Sequence, residues 1–591
     1  MPTVLVIGAG HAGLEAAFAA QRVGVSVRVV TGSVGTIGQT PCNPSVGGVA
    51  KGHLVCEIDA LGGFMGRAAD ACAIHGRVLN RSKGPAVQST RLQVDKRRYG
   101  LYARHALTHA PGIEVIEGLV VALHLDAVDR HRVRGVVLDD GRIVEADAVV
   151  VTTGTFLGGV LHTGRRQTPG GRVGEAPATG LSQHLGALGF RLNRLKTGTP
   201  PRLDRRTLDL SQAEPQPSDE PVPRFTLPDD VVPPPPLLPQ VDCYLTWTTP
   251  ETHDIIRAHL HESPMYSGQI QGRGPRYCPS VEDKIVRFAG RDRHQVFLEP
   301  EGLDTDSVYP NGISTSLPAE VQEKIVASIP GLQRARILRP GYAVEYDAVD
   351  ARALTHALAA KDMRGLFFAG QVNGTSGYEE AGAQGVVAGA NAALSVLGRP
   401  PLVLGRDEGY VGVMIDDLVT QGCDEPYRMF TSRAEYRILL REDNADRRLS
   451  GHASQAGLIT AERFARVEAR AARVMDLASM PDDAIAPDVP GWLRARANAE
   501  RTYAGYRDRL EREITRSRGE GASDLPLPHD LDYSQLPGLS LEARQRLAQV
   551  RPTSTAQASR IPGVTPASLM CLWAFARQQQ RRSQHREAHL R

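Results

Sequence analysis

Two cysteines stand where a thiol could do chemistry. Cys42 lies between Pro41 and Pro44 in a glycine-rich stretch, residues 35–53, whose backbone amides can turn toward a flat or anionic ligand. A rigid loop of this kind can expose a thiolate to neighbouring amides or cations that activate it; a buried, inert thiol is the competing reading. Cys278 lies in GRGPRYCPSVEDK, residues 272–284, where glycine and proline fix the backbone and Arg273, Arg276, Tyr277, Glu282, Asp283 and Lys284 crowd donors, acceptors and charge around it. A plain surface loop is the alternative there. The seven cysteines are scattered and show no CxxC or Cys/His spacing, so neither a disulfide framework nor a zinc site is expected.

The basic residues are overwhelmingly arginine, with only seven lysines among 69. An ammonium is a point charge able to shift its pKa, which a guanidinium cannot imitate. Lys51, Lys83, Lys196 and Lys284 all fall in Gly/Pro-rich segments and are candidates for phosphate, flavin or substrate carboxylate contacts. The segment 81–104 interleaves Lys83, Arg91, Lys96 and Arg97 with Tyr99 and Tyr102, against one acid, Asp95. Charge for phosphates beside a ring for stacking is an RNA-binding combination, and a solvated basic helix face is its equal rival. EPYRMFTSRAEYRILLREDNADRRL, residues 425–449, has a similar mixture, with Arg433 and Arg437 at i, i+4 if it is helical.

The elements that must position these groups begin at the N-terminus. TVLVI, GAGHAG, LEAAFAAQRVG and VSVRVV read as strand, glycine turn, helix and strand. Gly8, Gly10 and Gly13 match GxGxxG in its required context, which allows the tight turn, the approach of a pyrophosphate to helix amides and close helix-to-sheet packing. The second strand ends at Thr31, where many such folds carry an acid for the ribose hydroxyls, so NAD is not favoured over FAD. Residues 32–66 read as glycine-rich and poor in helix. IEVIEG and DAVVVTTG read as further strands, the second ending at Gly154, where a strand tip can approach a ligand. Proline accumulates over 205–240, including 233–236, and marks an excursion from the core. LFFAGQ and the small-residue helix that follows it return to the first domain. Beyond about residue 406 the chain reads as mainly helical, and its last segment, from 551, is basic.

With 591 residues the chain exceeds one compact core. Its balance of 69 basic and 66 acidic residues means that a polyanion must be met by local patches. No apolar run is long enough for a membrane span and the start is unlike a signal peptide, so a cytoplasmic protein is expected. No Walker P-loop or GxSxG elbow is present, and flavin or nicotinamide chemistry leads.

VIGAGHAG, CNPSVGGVAKGHL, SKGPAVQSTR, LKTGTPPR, GRGPRYCPSVEDK, AGQVNGTSGYEEAGAQG, EPYRMFTSRAEYR and IPGVTPASL together resemble the MnmG (GidA) family of FAD-dependent tRNA uridine 5-carboxymethylaminomethyl modification enzymes along nearly the whole chain. The resemblance implies an α/β fold: a Rossmann-type FAD-binding domain (1–204 and 346–405) split by an inserted α/β domain (205–345), then a mainly helical C-terminal domain (406–591). It implies that Gly8, Ala9, Gly10, His11, Ala12 and Gly13 hold the FAD pyrophosphate, Val120 the adenine edge and Gln371 the flavin side, with Gly154 nearby. It implies an NADH signature from residue 274 onward, with Gly274, Pro275, Arg276, Tyr277 and Cys278. Methylene-tetrahydrofolate would donate one carbon, and glycine or ammonium the amine. Cys42 and Cys278 match the family's two cysteines, either of which could add to C6 of uracil, with Lys284 as a charge-stabilising neighbour. tRNA is expected at Lys51, Lys83, Arg91, Lys96, Arg97, Arg433 and Arg437. The implied partners are a second copy of the chain and the GTPase MnmE; no metal is expected. A TrmFO-type uridine methyltransferase, a small-metabolite flavin oxidoreductase and a non-catalytic RNA-binding scaffold are the alternatives.

Overall fold

The computed structural model describes residues 1–227, 238–274, 279–518, 525–528 and 530–589. The proline tract 233–236 and the expected site residues Pro275, Arg276, Tyr277 and Cys278 lie outside the described residues.

The N-terminal unit is built on a five-stranded parallel sheet in the order Leu366–Phe368, Ala148–Val151, Thr3–Ile7, Ser26–Thr31, Ile113–Glu117. Its central strands read as unbroken apolar runs because both faces are covered: Val4, Leu5, Val6, Val149 and Val150 are fully buried. The edge strand Leu366–Phe368 arrives more than 200 residues after its neighbour, so the small-residue helix Tyr378–Val396 that follows it packs against the first helix, His11–Val23. A Cβ on Gly389 would lie 2.2 Å from the carbonyl oxygen of Ala16, so the two helices touch through their backbones and only glycine fits.

Two antiparallel sheets follow. The first orders Arg166–Pro169, Val160–Thr163, Tyr342–Val349 and Leu192–Thr199. The second, inserted sheet runs Glu214–Gln216, Cys243–Trp247, Gln295–Pro300, Ser307–Asn311, Arg202–Asp204, Ile337–Arg339. One face of it carries Leu203, Val296, Leu298 and Val308 into a separate core with Val281, Ile285, Val321 and Ile325 of the helices Val281–Arg287 and Ala319–Ala327. The other face carries Glu299, Tyr309 and Asn311 toward the first unit.

The C-terminal part is helical, as its periodicity predicts. Ala461–Ser479 buries Val467, Val474 and Leu477, and Arg463 on the same helix bonds the Asp59 carboxylate at 2.8 Å. A distinct core of Leu525, Leu536, Leu547, Ile561 and Leu572 gathers the last helices. Among the described residues no helix is long and apolar enough to cross a membrane.

Two local expectations are corrected. Residues 32–66 contain the helix Lys51–Ala60, which is buried on nearly every side and therefore lacks the amphipathic stripe by which a surface helix is recognised. Residues 425–444 are not an α-helix. Thr431–Arg433 forms a single 3₁₀ turn, and a regular helix begins only at Ala445, so Arg433 and Arg437 are not helical neighbours.

Candidate functional site

A cavity of about 940 Å³ opens at the carboxyl ends of the parallel strands, the place where doubly wound sheets bind nucleotides. The glycine turn forms its floor. Gly8 has a φ of 101° and donates its N–H to the Val30 carbonyl at 2.8 Å. A Cβ on Gly13 would lie 2.0 Å from the Gly8 carbonyl oxygen, so the helix start rests directly on the turn. Gly10 caps the helix without a side-chain bond, leaving the first-turn amides for an anion. These features fit a dinucleotide pyrophosphate. Gly8, Ala9, Gly10, His11, Ala12, Val120, Gly154 and Gln371 all line this cavity, while Gly13 stands beneath its floor.

Thr31 also lines it, and the neighbouring strand places an acid beside it. Glu117, at the end of Ile113–Glu117, faces the same cavity and accepts the Val34 N–H at 2.7 Å. Sequence reading missed Glu117 because strand pairing, not chain proximity, brings it beside Thr31.

Cys42 faces this cavity, together with Thr197, Gly198, Tyr342 and Tyr378. Its N–H donates to the Tyr378 hydroxyl at 2.7 Å, and its sulfur lies 3.2 Å from the Tyr309 hydroxyl. Two cations grip its carbonyl: Lys96 Nζ and Arg202 Nη2 each donate to it at 3.2 Å. Both are paired with Glu301, at 2.7 and 2.9 Å. The two neighbouring cations outweigh burial and hold the Glu301 carboxyl down at about 2, while burial brings the Lys96 ammonium down to about 8. The Arg202 guanidinium also lies over the Tyr309 ring, 4.6 Å from its centroid. His11 packs on Tyr378 with centroids 4.5 Å apart, and burial, with a smaller contribution from Arg172, lowers its pKa to about 4.

Several expected tRNA contacts are inward-facing instead. Lys51 bonds Glu379 at 2.8 Å and lies 3.6 Å from Glu380 while lining the cavity. Arg91 bonds Glu299 at 2.7 Å, and Lys96 is the Cys42 anchor just described. Each carboxylate is distant in sequence, which is why these cations read as free. Arg433 lies over the Tyr427 ring at 4.2 Å and donates to the Arg428 carbonyl. Lys83, Arg97 and Arg437 are exposed.

Lys284 is not in the cavity with Cys42. It sits on Val281–Arg287, donates to the Gly312 carbonyl at 2.7 Å and so reaches past the end of strand Ser307–Asn311 into a separate cleft. Gly274 lies beside the buried Lys196 side chain, with the preceding segment pinned by Glu345, whose carboxylate accepts the Gly272 N–H at 2.7 Å.

Comparison with known proteins places these features in company. Residues 3–400 match the family model described as glucose inhibited division protein A, and residues 516–591 match that of the tRNA modifying enzyme MnmG/GidA C-terminal helical bundle. A relative from Granulibacter bethesdensis, described as tRNA uridine 5-carboxymethylaminomethyl modification enzyme MnmG, is 47% identical over 98% of both chains. One of the same description from Syntrophotalea carbinolica is 46% identical over 97% of this chain and 98% of its own. The solved structure of Aquifex aeolicus GidA in its form II crystal superposes with a TM-score of 0.89 at 43% identity, covering 97% of this chain and 98% of that one.

Proposed function

This chain belongs to the MnmG/GidA family, and from that membership we propose that it modifies C5 of wobble uridines in tRNA, building a carboxymethylaminomethyl or aminomethyl group with FAD, NADH and methylene-tetrahydrofolate. The observation that carries this reading is that the Cys42 thiol lines the same cavity as the GAGHAG turn. A nucleophile for the base and a cradle for the dinucleotide therefore share one space.

FAD supplies electron exchange between NADH and the one-carbon unit when bound. The chain's own residues do the rest. The turn amides bind the pyrophosphate, Glu117 is placed for the ribose hydroxyls, and Val120 and Gln371 border the two ring systems. The Cys42 thiolate adds to C6 of uracil, forming an S–C6 bond while the C5–C6 π pair moves onto C5 and the O4 carbonyl. C5 then attacks the one-carbon unit, and the C–C bond forms as that carbon's bond to its donor nitrogen breaks with the electron pair passing to nitrogen. Loss of the C5 proton to solvent restores the double bond and expels the thiolate. Tyr309 holds a proton at the sulfur and can return one to it. Lys96 and Arg202 keep the loop from drifting by fixing the Cys42 carbonyl.

Exposed Lys83, Arg97 and Arg437 are assigned to the tRNA surface. The division at 204/205, 345/346 and 405/406, the NADH role of the segment from 274 onward, a homodimer, MnmE as partner and a cytoplasmic location belong to the same proposal and rest on the family resemblance. Mass spectrometry of tRNA nucleosides from cells with and without the gene tests it. Loss of the wobble carboxymethylaminomethyl or aminomethyl uridines is expected; loss of the T-loop methyl alone favours the TrmFO-type activity, and an unchanged profile overturns the reading.

A further inference from the structure

A second cavity, about 490 Å³, lies at one end of the inserted sheet. Its floor is the sheet face that bears Trp247, Gln295, Phe297 and Asn311, which strand register places on one side. Its walls bring Lys284, Arg291, Arg293 and His294 together, and among the described residues that line it none carries a carboxylate. Arg291 and Arg293 are exposed and have no ion-pair partner among the described residues; Arg293 lies over the Trp247 ring at 4.3 Å. The His294 ring turns its Nε2 away from solvent and lies 5.4 Å from the His253 ring, so the charge facing the cleft comes from Lys284, Arg291 and Arg293. Cations gathered beside an aromatic ring match a phosphate joined to a base or sugar better than they match a bare inorganic ion.

The position of this cleft relative to the thiol decides what it would hold. Asn311 forms part of its floor, and Tyr309, two residues earlier on the same strand and on the same face, touches the Cys42 sulfur. Two strand residues span ~7 Å. Glu299, buried and paired with Arg91, accepts from Asn311 at 3.2 Å and closes the interval between the two places with packed protein.

We propose that this cleft binds a phosphodiester of the RNA strand next to the nucleotide presented to Cys42, so that strand Ser307–Asn311 acts as a ruler between the backbone anchor and the reacting base. This rests on the tRNA-modifying reading above. Clamping a flanking phosphate would fix the base without contacting it, which is how backbone contacts set register.

The test is tRNA binding by the full-length flavoprotein carrying Arg291→Ala and Arg293→Ala together, two exposed changes, with flavin absorbance as the check on folding. Affinity is expected to fall roughly tenfold at low salt, and the slope of log affinity against log salt to fall by about 1 for each arginine removed. A double variant whose affinity and slope equal those of the unaltered protein overturns the inference alone. Loss of NADH-dependent flavin bleaching with tRNA affinity retained also overturns it, and assigns the cleft to the dinucleotide pyrophosphate. An unaltered protein that binds no tRNA at any salt overturns the functional reading, and this inference with it.

Discussion

The hydroxyl of Tyr309, on the inserted sheet, lies 3.2 Å from the sulfur of Cys42, on a loop of the nucleotide-binding unit. The two residues are 267 positions apart in the chain, and the contact joins two separately cored parts of the protein at the sulfur proposed to react. Tyr309→Phe keeps the ring on which Arg202 stacks and removes only the hydroxyl. The single-turnover rate of uridine modification is expected to drop on the order of 10²-fold, with flavin content retained. An undiminished rate would show that the phenol plays no part in proton handling.

Glu301 compensates two buried cations at once, Lys96 and Arg202, and also accepts the Ser307 hydroxyl at 2.6 Å. Glu301→Gln leaves both cations without a counter-charge in a buried place. A loss of about 3 kcal/mol in thermal or denaturant unfolding is expected, because breaking a buried pair costs more than the pair contributes. A change below ~1 kcal/mol would mean that water already satisfies these groups.

Gly13→Ala places a methyl 2.0 Å from the Gly8 carbonyl oxygen, in backbone that has no flexible end to move aside. The turn must shift, and the pyrophosphate site with it. FAD affinity is expected to weaken at least about tenfold, or ~1.4 kcal/mol. Titrating FAD into the apoprotein by flavin fluorescence measures this directly, and affinity equal to that of the unaltered protein would argue against the assigned cradle.

His11 has its pKa lowered from 6.5 to about 4, chiefly by burial. Between those values the unfolded chain binds a proton at this residue and the folded protein does not. Folding is therefore opposed progressively as pH falls from 6.5 toward 4, and the full contribution is present above 6.5. His11→Gln removes the titration. The difference in unfolding free energy between the variant and the unaltered protein is expected to move in the variant's favour by about 3 kcal/mol across that window. A pH-independent difference would place the proton elsewhere.

Cys42→Ser retains a similar shape and loses the nucleophile. Wobble modification is expected to fall below detection in cells carrying only this variant, with FAD content intact. Full modification by Cys42→Ser would remove the covalent role from this residue.

The sequence by itself determined whatever depends on local covalent and steric rules. GAGHAG after TVLVI required a strand, a turn and a helix start, because the backbone geometry there admits only glycine at two points. The periodicity of 461–479 required an amphipathic helix, and the family motifs singled out the loop around Cys42 as a candidate. What only the tertiary structure decided was partnership. Lys51, Arg91 and Lys96, expected at tRNA, are held by Glu379, Glu299 and Glu301, each more than 200 residues away in the chain. Strand pairing set Glu117 beside Thr31 at the cavity, and Lys284 was carried to a different cleft by the helix that bears it. Charges in a chain have no fixed neighbours until folding supplies them. Burial then sets how strongly each pair interacts, and neither contact nor burial is written in the spacing of residues along the sequence.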